Sequence, residues 1–450
     1  MTHRPASLRI FVFAALIASV LPMNGGPVRD APSLSLIGPA SVRGADVPYV
    51  PGQILVKFKS DVPAAYRAAT LVLNDSRAVG WISTLDVYTV QISADASVEE
   101  KAAAFAGDPG VLFAEPNYVC RAAATPNDNL FKYQYALSNT GQRIGDVPGS
   151  PQGKISADIK ACQGWEESPG DDSVTIAIID SGVDLTHPDL VNKITGPGRD
   201  FVNDDFDATD DFYHGTAVAG IAAADTNNTE GIAGVAWNAG ILPVKVLNAD
   251  GAGTAARVSE GIIWAAEQGA RIINLSLEFD AASQTLLDAV RYAFNRGCIL
   301  VASAGNDNGA VKFPAAFDAY VLAVAATDYN DEVWASSNSG PEVDVAAPGL
   351  DVLTTVPTWF FGGGALPYGY VDGTSMAAPH VSGLAAILKS QKPWLSAAEI
   401  MEIIRFSADD VNGATSPGID ESIGYGRINM EKALVPLKLE RTFRKIGPSE

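Results

Sequence analysis

The sequence predicts an α/β protein built on a doubly wound, mainly parallel sheet, preceded by a small α+β domain. Two observations point to the large sheet. Short, wholly apolar segments recur between residues 126 and 433, and helical segments separate most of them. Strands that are apolar on both faces are typical of parallel sheets covered by helices on each side. The strand candidates are VTIAII (174–179), ILPVKVL (241–247), RIINLSL (271–277), CILVASA (298–304) and YVLAVAA (320–326).

The small domain is predicted from residues 53–120. The patterns there predict, in order, a strand (QILVKF), a helix (AAYRAATLVLN), a broken strand (WISTLDVYTVQI), a helix (SVEEKAAAFAG) and a strand (VLFAEPNYV). Ser97 and Glu100 stand at the spacing of a capping box, which predicts a helix start. The order β-α-β-β-α-β is typical of a two-layer, ferredoxin-like domain.

The first residues predict export. His3, Arg4 and Arg9 precede an apolar run over 10–21, which is too short to span a membrane and is typical of a secretory signal peptide. We assign residues 1–26 to that peptide, with its cleavage site left open. The protein is then expected to be secreted or periplasmic, and free of the membrane once the peptide is removed. The Pro- and Gly-containing stretch 27–52 is predicted to be a linker, and 434–450 a short tail.

Composition narrows the classes of partner. The 450 residues are 47% hydrophobic and 18% charged, with a formal net charge of −21. This is a globular composition, and its acidity argues against binding to nucleic acid or to an anionic membrane. We expect a monomer. Three cysteines are too few for a disulfide framework. Cys162 and Cys298 could pair or remain buried thiols, and Cys120 is the third.

Four polar residues lie where a doubly wound sheet builds its sites. Asp180 follows an apolar strand, Asn306 follows another, and His214 and Ser375 begin helical segments. Each taken alone could be a cap or turn residue. Together they supply the nucleophile, base, orienting carboxylate and oxyanion donor that acyl transfer needs.

The remaining histidines outside the signal peptide are predicted to be structural and not catalytic. His187 lies in the turn-like stretch DLTHPDL, where we expect a surface residue. His380 follows Pro379 within GTSMAAPHVSG and is expected to pack inside a helix.

The motifs around the four residues resemble those of one known family. DSGVD at Asp180, HGTAVAG at His214 and GTSMAAPHVSG at Ser375 are similar to the three signature blocks of the subtilisin-like serine proteases (subtilases, peptidase family S8), in the same order. ASAGNDN around Asn306 and the closing GYGRINMEKAL extend the resemblance over 126–433. The segment from PGQILVKFK to VLFAEPNYV resembles the inhibitory propeptide of that family.

The resemblance implies a self-processed serine endopeptidase acting on proteins or peptides. Ser375 would be the nucleophile, His214 the general base and then acid, Asp180 its orienting carboxylate, and Asn306 a donor to the oxyanion. The propeptide would act as an inhibitor and be cut from the catalytic domain between Tyr118 and Asp128.

Some positions depart from the family pattern. Ala217 stands where many members have a second histidine, and Glu278 in NLSLEFD replaces a glycine beside the substrate. GAGTAA (251–256) resembles the opposite substrate-binding strand. Lys312, before Phe313 and Pro314, would lie at the floor of the pocket for the P1 side chain. There it would favour acidic residues unless Glu278 neutralises it, which would leave a broad apolar preference.

Calcium is the one cofactor that the resemblance implies. DTNNTEGIAG (225–234) is similar to a calcium loop, in which Asn228 would join Asp189 and Asp128 as ligands. The acidic run RDFVNDDFDATDD is similar to a second calcium loop, with Asp200 and Asp205 as ligands. The alternative for this run is a solvated acidic loop.

Two rival functions stay open. The chain could be a catalytically silent binding module of subtilase fold, although all four catalytic positions are intact. It could also be a metal-dependent hydrolase using aspartates with His187 and His214, although no HExxH-like spacing supports that reading.

Overall fold

The computed structural model describes residues 49–93, 96–118, 124–146, 149–362 and 366–435. They form two compact units, which divide near residue 123. The predicted signal peptide, most of the predicted linker, Cys120 and the C-terminal tail lie outside the described residues.

The N-terminal unit has the predicted β-α-β-β-α-β order. Its elements are β1 (Tyr49–Phe58), α1 (Ala64–Leu73), β2 (Ser76–Ile82), β3 (Val87–Ile92), α2 (Val98–Ala106) and β4 (Val111–Tyr118). The strands form one antiparallel sheet in the order β2-β3-β1-β4. Alternate residues of β1, including Ile54 and Val56, are fully buried in the core of this unit. The Ser97 hydroxyl caps α2 by accepting a hydrogen bond from the Glu100 N–H at 3.2 Å.

The starts of two strands in this unit differ from the prediction, and β2 begins at Ser76, five residues before the predicted Trp81. Strand β1 begins at Tyr49, inside the stretch that was predicted to be a linker. Tyr49 pairs with Tyr118, and a register shift separates this pair from the regular ladder that begins at Ile54. Gly52, with φ of 73°, lies in that irregular stretch, so the Pro and Gly residues mark a bulge instead of a break.

The C-terminal unit contains a seven-stranded, wholly parallel sheet in the order β11-β10-β9-β8-β5-β7-β6. A separate antiparallel pair is formed by β12 and β13. The strands are β5 (Thr175–Asp180), β6 (Arg199–Asp200), β7 (Gly240–Lys245), β8 (Ile272–Leu275), β9 (Ile299–Ser303), β10 (Val321–Thr327), β11 (Val345–Pro348), β12 (Val352–Thr355) and β13 (Tyr368–Val371). The helices are α3 (Ala161–Glu167), α4 (His214–Ala223), α5 (Ala255–Glu267), α6 (Gln284–Asn295), α7 (Thr374–Gln391), α8 (Ala397–Ser407) and α9 (Met430–Leu434).

Both faces of the sheet are buried, which explains why its strands are apolar throughout. Ile176 and Ile178 of β5 belong to the core formed with α4 and α7. Ala177 and Ile179 belong to the core on the other face, with α5 and α6. Burying each large aliphatic side chain contributes about 1.5–3 kcal/mol, so the continuous pattern in β5 stabilises both layers. The predicted doubly wound α/β architecture is confirmed.

Cys162 and Cys298 carry free thiols. Cys298 is fully buried and donates to the carbonyl of Ala270. Burial raises the pKa of the Cys298 thiol to about 11, which keeps it protonated and unreactive. No helix among the described residues combines the length and apolar character that crossing a bilayer would require.

Candidate active site

The structure brings Asp180 and His214 into direct contact. Asp180 ends β5 and is fully buried, whereas His214 is the first residue of α4. Nδ1 of His214 lies 2.9 and 3.0 Å from the two carboxylate oxygens of Asp180. A carboxylate can only accept, so Nδ1 carries the proton and Nε2 is left as the basic nitrogen.

The surroundings of His214 favour its protonated form. Burial by itself would lower the pKa of the imidazole. The charge of Asp180, its hydrogen bond and the charge of Asp210 together outweigh that effect and raise the pKa above 6.5. This arrangement stabilises the imidazolium that forms when a general base takes up a proton.

Ser375 is the second residue of α7, at the end where backbone N–H groups are free of helical partners. Gly373 precedes the helix with φ of 143°, a conformation that side chains rarely adopt. The Ser375 hydroxyl donates to the carbonyl of Ser276 at 3.4 Å. Catalytic hydrogen bonds often form fully only when substrate is present.

Asn306 follows β9 and faces the start of α7. Its Oδ1 accepts from the Thr374 N–H at 2.8 Å and from the Thr374 hydroxyl at 2.9 Å. These bonds fix the orientation of the side chain and leave the Nδ2 amide as the donor next to Ser375. The structure therefore brings Asp180 together with His214, and Asn306 together with the start of the helix that carries Ser375.

Lys312 is paired in a way that the sequence did not predict. Its ammonium lies 2.7 Å from Asp280 and 3.0 Å from Asp307. Hydrogen bonds to Asp280 and Asp307 raise its pKa, so it stays charged. Glu278 was the expected partner, but the carboxylates that neutralise Lys312 lie two residues after Glu278 and one residue after Asn306.

The two remaining histidines are structural, and one expectation was wrong. His187 is fully buried, not on the surface. Its Nδ1 accepts from the Asp189 N–H at 3.1 Å and its Nε2 donates to the Pro367 carbonyl at 3.0 Å, which satisfies both ring nitrogens and makes burial tolerable. His380 is packed inside α7 as expected, and burial lowers its pKa to about 4. Because both nitrogens of His187 are engaged, the ring has no free nitrogen for a metal shared with His214.

Asp128, Asp189 and Asn228 meet in one place. The Asn228 amide donates to Asp189 at 3.1 Å, and Oδ2 of Asp128 accepts from the N–H of Asn227 in the same loop at 2.8 Å. The other oxygen of Asp128 is buried and has no hydrogen-bond partner. Burial raises the pKa of Asp189 to about 6, and the nearby charge of Asp128 adds to that shift. A buried, orphaned carboxylate oxygen beside a second carboxylate fits a cation with oxygen ligands.

Asp200 and Asp205 fit a cation less well. Oδ1 of Asp200 accepts from the N–H groups of Val202 and Asn203, and Oδ2 accepts from the Asn203 amide. Asp205 accepts from the N–H of Asp207 and exchanges backbone hydrogen bonds with Asp200. These carboxylates already cap their own loop, so nothing in their contacts calls for an ion. In the part of the chain that the structure describes, carboxylate, thiol and imidazole groups form no set of three or more that is arranged to hold a metal ion.

Sequence reasoning missed one residue of this region. Asp210 was counted only as a member of the acidic run, yet it is buried beside the start of α4. The available indication was its place in the turn before His214, where an aspartate can accept from the backbone N–H two residues later.

Comparisons with known proteins identify the family of this chain. Residues 171–426 match the subtilase family, and residues 38–117 match the fervidolysin N-terminal prodomain. A "Thermophilic serine proteinase" of Bacillus sp. strain AK1 is 39% identical over 95% of this chain and 96% of its own length. "Thermitase" of Thermoactinomyces vulgaris is 44% identical over 61% of this chain and 93% of its own length. A solved protease structure from Pseudoalteromonas arctica aligns with a TM-score of 0.58 and 32% identity, covering 69% of this chain and 98% of that one. The chain therefore belongs to the subtilase family and is a subtilisin-like serine protease with an N-terminal prodomain.

Proposed function

We propose that the protein is a secreted endopeptidase that hydrolyses peptide bonds through Asp180, His214 and Ser375, with Asn306 in the oxyanion hole. The contact of His214 Nδ1 with Asp180 at 2.9 Å carries the proposal, because it sets the tautomer in which Nε2 is the base.

The chemistry follows from these positions. The Ser375 hydroxyl turns from the Ser276 carbonyl toward His214 and attacks the scissile carbonyl carbon, and its proton passes to Nε2. Negative charge develops on the carbonyl oxygen, where the Asn306 amide and the Ser375 backbone N–H stabilise it. The C–N bond then breaks as Nε2 returns the proton to the leaving amine. Water, activated by the same nitrogen, releases the acyl group and regenerates Ser375.

Substrate would bind between two backbone edges. Residues 252–254 are exposed, and Ser276 and Leu277 lead from β8 past the nucleophile to the exposed Glu278. An extended peptide can add to such edges by backbone hydrogen bonds. This mode binds many sequences, which suits an endopeptidase acting on proteins or peptides.

The N-terminal unit would act as an inhibitor of its own catalytic domain. We assign residues 53–120 to this propeptide, with its first strand beginning at Tyr49, and residues 126–433 to the catalytic domain. Ser375 would cut the chain between Tyr118 and Asp128. The freed propeptide would stay bound until it is degraded.

Calcium would bind at Asp128, Asp189 and Asn228. The ion would supply positive charge to two buried carboxylates, and it would join the segment near residue 128 to the body of the domain. Its role would be structural, because none of these residues contacts Asp180, His214 or Ser375 in the structure.

A serine-directed phosphonate probe tests the proposal. It should label the mature wild-type protein at Ser375 and leave Ser375→Ala unlabelled. A folded, unlabelled wild type that hydrolyses no peptide would instead be a binding module. Hydrolysis that a chelator stops at once, without any loss of folding, would favour a metal-dependent mechanism. Intact-mass analysis of the culture medium tests export through residues 1–26.

A further inference from the structure

Asp210 is a buried carboxylate at the junction between the two segments that carry Asp180 and His214. It is 1% exposed. Its Oδ1 accepts from the Ser181 hydroxyl at 2.9 Å and from the N–H groups of Phe212 and Tyr213 at 3.0 and 2.9 Å. Ser181 directly follows Asp180, and Tyr213 directly precedes His214. One oxygen atom therefore holds the neighbours of both residues.

The second oxygen of Asp210 holds the first turn of α4. Oδ2 accepts from the N–H and the hydroxyl of Thr216 at 2.9 and 2.5 Å. The Ser181 hydroxyl, which donates to Asp210, accepts in turn from the N–H of Gly215 at 2.9 Å. An ordinary capping side chain satisfies one or two backbone donors. Asp210 accepts from five groups and, through Ser181, fixes a sixth.

We call these hydrogen bonds of Asp210 and Ser181 the clamp, and the backbone at Tyr213 shows why it is needed. Tyr213 has φ of 119°, which is strained for a residue with a side chain. Strain of this kind costs about 1–3 kcal/mol and persists only where the surroundings enforce it. The N–H of Tyr213 is held by Asp210, and the next residue is His214. Without the clamp, relaxation at Tyr213 would turn the imidazole away from Asp180.

The contacts also define the charge of Asp210. Three of its partners are backbone N–H groups, which can only donate, so the bonds suit the ionised carboxylate. Burial raises the pKa of Asp210, and its hydrogen bonds with Thr216, Tyr213 and Phe212 oppose that shift.

Two carboxylates near the imidazole of His214 raise its pKa, and Asp210 is the second of them after Asp180. Asp180 and Asp210 both favour protonated His214. The phenol of Tyr213 is neutral at working pH, since burial raises its pKa further. The nearby cation, Lys245, is buried and held by the carboxylate of Asp211 and by two backbone carbonyls.

We propose that Asp210 is a positioning residue of the catalytic centre, which clamps Ser181 and the first turn of α4 so that His214 faces Asp180, and whose negative charge stabilises the imidazolium. This inference rests on the proposed function, because it assigns Asp210 a role in the same proton transfer.

The test compares Asp210→Asn with Asp184→Asn. Asp184 is also buried, and its carboxylate accepts from Thr186 and Thr358 without contacting His214. The mature variants, checked by mass spectrometry, are assayed for kcat and KM across pH, with melting temperatures measured in parallel. The rate of self-processing serves as a second readout of the same chemistry.

The proposal predicts the direction in which kcat and its pH dependence change in each variant. Removing the charge of Asp210 makes protonation of His214 less favourable, so the acid limb of kcat/KM should move to lower pH. Misplacement of the imidazole should lower kcat roughly ten- to a hundredfold with little change in KM. Asp184→Asn should lose thermal stability but keep the wild-type acid limb and kcat. A third variant, Ser181→Ala, keeps the charge and loosens the clamp, so it should lower kcat without moving the acid limb.

The outcomes separate this proposal from the one on which it rests. A folded Asp210→Asn with wild-type kcat and acid limb, and only a lower melting temperature, would make Asp210 an ordinary helix cap and overturn the proposal. If Asp210→Asn does not fold, an unchanged kcat in Ser181→Ala overturns it and a reduced one supports it. If the wild type itself takes no phosphonate label, the proposed function fails first.

Discussion

Ser276 supplies the hydrogen bond that Pro379 withholds. Pro379 lies inside α7 and has no N–H, so the carbonyl of Ser375, four residues earlier, lacks its helical donor. The hydroxyl of Ser276 donates to that carbonyl at 2.8 Å. Asn274 donates to the same hydroxyl at 2.9 Å and accepts from Ser382 at 2.8 Å. A buried chain of hydrogen bonds thus runs from Ser382 inside α7 to the backbone of Ser375.

Replacing Ser276 by Ala should destabilise the protein by about 1–3 kcal/mol, because a buried carbonyl loses its donor. Urea unfolding of the Ser375→Ala background, which prevents autolysis, measures the effect. The matched test is the double variant Ser276→Ala with Pro379→Ala, in which the helix regains an N–H for the carbonyl. The double variant should lose less stability than the sum of the two single variants. Simple additivity would show that the Ser375 carbonyl is not the connection.

Ser375→Ala should leave the precursor uncut. Loss of the nucleophile removes about six orders of magnitude in kcat in subtilisin, and self-processing uses the same chemistry. Mass spectrometry of protein made in a host without other proteases should show cleavage between Tyr118 and Asp128 in the wild type alone. Asn306→Ala should still be cut, only more slowly, because removing this donor costs about two to three orders of magnitude in this family. A Ser375→Ala protein already cut at that site would refute self-processing.

Calcium should raise thermal stability without driving the chemical step. An ion that binds only the folded protein stabilises it by about 2.7 kcal/mol at a hundredfold excess over its Kd. EGTA should therefore lower the melting temperature, and Asp189→Asn should abolish that response while kcat at moderate temperature stays nearly constant. Asp200→Asn is the control, because its carboxylate caps its own loop and its effect should be the same with and without calcium. A wild-type melting temperature that EGTA does not change would remove calcium from the proposal.

The P1 preference should be apolar and not acidic. Asp280 and Asp307 compensate the charge of Lys312 and leave one excess negative charge in this cluster. A peptide series varied at P1 should give a higher kcat/KM for Leu than for Glu. In Lys312→Gly the two carboxylates lose their counter-charge, so cleavage after Glu should fall further relative to cleavage after Leu. If the ratio of the two rates does not change, Lys312 does not contribute to specificity.

The sequence was most informative where local pattern and tertiary burial agree. VTIAII predicted a strand buried on both faces, and this placed Asp180 at the carboxyl end where the structure has it. Ser97 predicted the start of α2 because capping depends on neighbours three residues away. Asn306 could be named from its motif, but the two hydrogen bonds from Thr374 that orient it come from another part of the chain.

Other features depend on contacts between segments that are distant in the sequence, and sequence patterns do not predict such contacts. His187 stands in a polar stretch that predicts exposure, yet β13 and the residues before it cover the ring, and the Pro367 carbonyl accepts a hydrogen bond from its Nε2. Lys312 lies close to Asp280 because the neighbouring residues Phe313 and Phe279 form a backbone bridge. Asp210 is one of several aspartates in a run, and only the fold shows that it is buried between the segments that carry Asp180 and His214.

The strand order carries a consequence for the growing polypeptide. β5 is made before β7 and β8 but lies between them, so Asp180 has neighbours on both sides only after residue 275 has been synthesised. Ser375 comes later still, on a helix that packs across β8, β9, β10 and β11. In the proposed mechanism, the residue that serves as the general base is therefore synthesised long before the nucleophile. On that proposal, an unfinished chain has no complete catalytic centre, and proteolysis would begin only once nearly the whole domain has been synthesised.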